Sequence, residues 1–95
     1  MPKYVIERTL PGAGDLSSDE LSAVATKSND VIADLGDLQW IQSYVTGDKL
    51  YCVYIAPDAE RVREHARCGG FPCDSVEQVS TIMDPTTAEA AVPAA

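Results

Sequence analysis

The spacing of apolar residues changes period several times along the chain, and each change marks an element. Residues 3–10, KYVIERTL, are rich in β-branched and aromatic side chains and stop at Pro11-Gly12, which predicts a strand. After a Gly/Asp/Ser connection, Leu21, Val24, Ala25, Ser28, Val31, Ile32 and Leu35 recur at helical spacing. Ser17 stands three residues before Glu20, the pattern of a capping box, and Gly36 supplies the stop. Residues 39–46 (QWIQSYVT) and 49–56 (KLYCVYIA) read as two strands joined across Gly47-Asp48 as a hairpin. Asp58 caps a second helix that runs to about Cys68 and ends at Gly69-Gly70. Residues 75–83, SVEQVSTIM, predict a fourth strand.

The order β-α-β-β-α-β is the split βαβ pattern, so the fold class is α+β: a ferredoxin-like antiparallel sheet with both helices on one face. One domain over residues 1–83 is expected, followed by a flexible Ala/Pro-rich tail over 84–95. Simple alternation along the hairpin places Ile41, Val45, Val53 and Ile55 on one face. It places Trp40, Tyr44, Leu50, Cys52 and Tyr54 on the other. Two apolar faces are more than two helices on one side can cover. The open face is expected to be a homodimer interface, or else a small-ligand pocket floored by Trp40, Tyr44 and Tyr54. The second alternative describes a cofactor-free enzyme or small-ligand binder of the dimeric α+β barrel type.

Charge narrows the partners. The net charge is −8, and no Lys/Arg stripe offsets it, so a phosphate backbone is repelled and no nucleic acid is expected. The N-terminus lacks a basic-then-apolar leader and no run reaches membrane-spanning length, which points to a cytoplasmic protein with no membrane partner. Three cysteines cannot all pair within one chain, and in the cytosol they are expected as thiols.

The densest chemistry is EHARCGGFPCD, residues 64–74. Glu64, His65 and Cys68 share the last turns of the second helix, and Gly69-Gly70 then reverses the chain toward Cys73. Imidazole, carboxylate and thiolate together suit a late first-row divalent metal. The spacing His-x2-Cys-x4-Cys matches no strong zinc signature, so three readings stay open: a metal site, plain thiols beside a helix-end histidine, or a regulatory disulfide. No glycine-rich phosphate loop follows a strand.

The segments KYVIERTLPG, SYVTGDKLYCVYIAPD, VREHARCGGFP and DPTTAE resemble a family of small bacterial, mainly actinobacterial, proteins long filed as a domain of unknown function. The similarity spans residues 2–89. Members are described as cytosolic nickel-binding proteins. The resemblance implies a ferredoxin-like fold, a homodimer with metal at its surface, and a role in nickel sequestration or detoxification. The cofactor implied is nickel (Ni²⁺) or another divalent transition metal. The motif EHARxGGFP includes Glu64 and His65, whereas Cys68 and Cys73 look particular to this chain. His65 is therefore expected to lead the ligand set from a solvent-reachable helix end. Glu64, and Glu60 one turn earlier, would supply carboxylates, and Cys68 and Cys73 would strengthen binding without creating it.

Overall fold

A computed structural model describes residues 1–90. The elements are β1 (Lys3–Thr9), α1 (Ser18–Leu35), β2 (Gln39–Val45), β3 (Lys49–Ile55), α2 (Ala59–Gly69), β4 (Ser75–Gln78) and a helical turn α3 (Thr87–Ala90). The strands form one antiparallel sheet in the order β2-β3-β1-β4, the ferredoxin-like topology.

Local chemistry fixes the helix ends. The Ser17 hydroxyl accepts the Glu20 backbone N–H at 3.1 Å, and the Glu20 carboxylate accepts the Ser17 N–H at 3.0 Å. This reciprocal pair satisfies two N–H groups that have no partner inside the helix. Asp58 caps α2 without the reciprocal bond, accepting from the Arg61 N–H at 2.8 Å. Gly70 closes α2 in the left-handed region at φ 69°, where a side chain would strain the backbone.

Both helices cover the sheet face that carries Tyr4, Ile6, Cys52 and Tyr54, and these join Leu38, Ala56 and Val62 in the core. α1 is held unevenly. Ser28 and Val31 are buried and Ile32 and Leu35 pack on the core, whereas Leu21 and Val24 remain 38% and 37% exposed. The N-terminal half of the apolar stripe thus stands partly free.

The register of β2 corrects the expected faces. Trp40 pairs with Tyr54 but Gln42 with Val53, so Ile41 is an extra residue in a β-bulge. Beyond it the alternation inverts: Ser43 and Val45 lie opposite Cys52 and Leu50 on the helix face, and Tyr44 lies opposite Tyr51 on the outer face. Trp40, Cys52 and Tyr54 therefore belong to the helix-covered side. The aromatic floor expected on the open face is not formed, because a one-residue bulge moved Tyr44 away from Trp40 and Tyr54.

The outer face mixes apolar and charged residues. Val5, Tyr44, Tyr51 and Val53 share it with Glu7 and Lys49, which pair at 3.3 Å. β4 is shorter than expected because β1 runs out: Gln78 pairs with Tyr4, and after Val79 donates to the Lys3 carbonyl no partner strand continues. Ile82 and Met83 are left exposed. In the segment expected as a tail, Asp84 accepts the Thr86 N–H at 2.9 Å at the start of α3. The rest of that expectation, residues 91–95, lies outside the described residues.

Candidate functional site

α2 presents two chemically different sides. Glu60, Glu64 and Cys68 follow one another at intervals of four, which places them along one stripe of the helix. Glu60 and Cys68 are exposed and Glu64 is half-buried. Each carboxylate has an arginine partner: Arg67 Nη2 lies 2.8 Å from Glu60, and Arg61 Nη1 lies 2.8 Å from Glu64. Arg61 also donates from Nε to Asp37 at 2.7 Å, and these two carboxylates raise its pKa above the ordinary guanidinium value. Asp37, Asp58, Glu60 and Glu64 line a shallow crevice around the Arg61 side chain. Ion pairs this exposed each contribute at most about 1 kcal/mol, so a divalent cation competes with the arginines at small cost.

His65 faces the other way. It was expected at a solvent-reachable edge and is instead completely buried, because its position faces the sheet beside Val62 and Ala66. The imidazole sits between the rings of Tyr54 and Phe71, with centroids at 5.0 and 5.5 Å. Its Nε2 lies 3.1 Å from Ser28 Oγ on α1, while Nδ1 has no hydrogen-bond partner. Burial above all, and then the positive charge of Arg8, push the His65 pKa down to about 4 against the opposing effect of the Ser28 contact. The same burial raises the pKa of Tyr54.

The expected convergence of Glu64, His65, Cys68 and Cys73 on one point is not formed. His65 is interior, Cys68 is exposed and unpaired, and Cys73 is half-buried against the core. Among the described residues no three His, Cys, Asp or Glu side chains approach closely enough to hold a metal within one chain. A cation on the α2 stripe would take one or two oxygens from this chain, and water or a second copy would complete its shell.

Sequence reasoning missed Asp37 as a wall of the crevice and Arg8 as a core residue. Asp37 carried no signal, since it reads as an ordinary loop residue after the Gly36 stop. Arg8 did carry one: period two from Tyr4 and Ile6 points it inward, and it is 2% exposed.

Residues 4–79 match the family described as nickel responsive protein SCO4226-like. No curated protein matches the chain. Among solved structures the fold is similar to that of SCO4226 from Streptomyces coelicolor A3(2), with a TM-score of 0.73 at 19% identity. The likeness covers 85% of this chain and 99% of that one. No helix among the described residues is long and apolar enough to cross a membrane.

Proposed function

Because the chain belongs to the SCO4226-like nickel responsive proteins, we propose that it is a cytoplasmic nickel-binding protein serving nickel sequestration or detoxification. The observation that carries this reading is the family match over residues 4–79. The acidic outer stripe of α2 supports it. Glu60 and Glu64, one turn apart, supply oxygen donors to an octahedral ion that keeps several waters, and Cys68 on the same stripe adds a softer donor within reach. His65 and Cys73, turned toward the core, stay outside the set. A homodimer through the mixed outer face of the sheet, the side away from α2, would leave this stripe open to solvent, so that water completes the shell.

Isothermal titration of the full chain with nickel chloride tests the proposal. Wild type should show saturable binding, and Glu60→Gln/Glu64→Gln should weaken it at least about tenfold, equivalent to about 1.4 kcal/mol. Absence of saturable heat would refute nickel binding. Unchanged affinity in the double variant would move the site off α2.

A further inference from the structure

Between the free half of α1 and the sheet lies a cavity of about 370 Å³. One wall is Leu21, Val24 and Ala25, and the other is Trp40, Val45 and Leu50. A volume near the lower end of small-molecule sites calls for a small ligand, and apolar walls call for an apolar body.

Arg8 interrupts this lining. Arg8 is 2% exposed, and its guanidinium donates from Nη1 to the Pro72 carbonyl and lies 5.5 Å from the centre of the Phe71 ring. Its Nη2 has no hydrogen-bond partner, and among the described residues no carboxylate pairs with it. A buried charge without a counter-ion costs several kcal/mol, and the other arginines that pair in this protein do so on its surface. Hydroxyl groups line the same space. Ser28 Oγ and Tyr54 Oη stand 3.4 Å apart, and Ser43 Oγ accepts the Trp40 indole N–H at 3.0 Å, which leaves its own proton free to donate. One unpaired cation, a few hydroxyl donors and apolar walls are the complement of a monoanion with an apolar tail. A carboxylate matches the planar guanidinium and neutralises its one charge. A phosphate dianion would bring a second charge that no buried cation answers, into a protein already at −8.

We propose that this cavity binds a small amphipathic monocarboxylate, with its carboxylate on Arg8 and its apolar body between Trp40 and α1. The site shares no lining residue with the crevice at Glu60 and Glu64 and does not depend on nickel.

Trp40 is the chain's one tryptophan and reports on the cavity wall. The emission of the full chain is followed during titration with sodium decanoate, and separately with decanol, below micellar concentrations. Decanoate should give a saturable change at concentrations at least about tenfold below any response to decanol. Arg8→Met should remove that preference, and inorganic phosphate should not displace decanoate. Should Arg8→Met fail to fold, Ala25→Phe keeps the arginine and fills the cavity from α1, and it should abolish decanoate binding. The proposal is overturned by equal affinity for acid and alcohol, by no saturable response to decanoate, or by phosphate competing equally. It is also overturned if decanoate binds undiminished to either variant.

Discussion

The buried histidine makes stability depend on pH in a way that can be worked out. His65 is inaccessible to water, and its pKa falls from 6.5 to about 4 on folding. The fold therefore favours the neutral ring. This contribution is complete above the unfolded value of 6.5 and is lost as pH falls toward 4, because the unfolded chain takes up the proton first. Between about pH 7.5 and about pH 4.5, linkage with these two values gives a loss of about 2–3 kcal/mol as an upper figure. Relaxation around the charged ring reduces it, so a loss of about 2 kcal/mol is expected. Denaturant unfolding of wild type and His65→Gln across that range isolates the effect. Glutamine does not titrate, and the carboxylates common to both proteins cancel in the difference. The variant should be less stable at neutral pH, and the gap should shrink by the stated amount on acidification. Parallel pH profiles would refute the reasoning, as would a histidine resonance that titrates near 6.5.

Other substitutions probe the frame. Ser17→Ala removes a capping box present in both halves and should cost about 1 kcal/mol, seen as a lowered unfolding midpoint with unchanged slope. Gly69→Ala would drive a Cβ into the Phe71 ring, which stacks on His65, and should cost about 1–3 kcal/mol in the same assay; an unchanged midpoint would show that Phe71 yields freely. A thiol reagent under native conditions should modify exposed Cys68 first and half-buried Cys73 more slowly. It should modify Cys52 only on unfolding, so early labelling of Cys52 would contradict its placement in the core.

Local signals made most of the frame legible. Ser17 with Glu20, Gly36, Asp58 and Gly70 each act through near neighbours, and each sits where its chemistry requires. What was not legible depends on distant partners. Nothing near Ile41 announces a bulge, since it exists only relative to β3, and without it Tyr44 and Val45 are assigned to the wrong faces. β4 ends early because of where β1 begins, which residues 79–83 cannot reveal. His65 lay one step from the buried stripe in the helical pattern, and only the proximity of Ser28, Tyr54 and Phe71 decides that it turns inward.

The bulge at Ile41 also restricts how the chain can tolerate changes in length. It works as a half-period phase shift inserted into one edge strand. Deleting Ile41 alone would leave Trp40 opposite Tyr54 and Gln42 opposite Val53 with nothing between them, so regular alternation would keep Tyr44 and Val45 on the faces they already occupy. A one-residue insertion after Ser43, with Trp40 held in place, would instead exchange their environments, turning a phenol toward Leu50 and a valine toward water. Loss of the one extra residue is therefore tolerated by the side-chain pattern, whereas a gain beyond it needs a second compensating change, and the turn at Gly47-Asp48 is held to the 10–14 segment by the Leu10, Gly12 and Gly14 N–H groups.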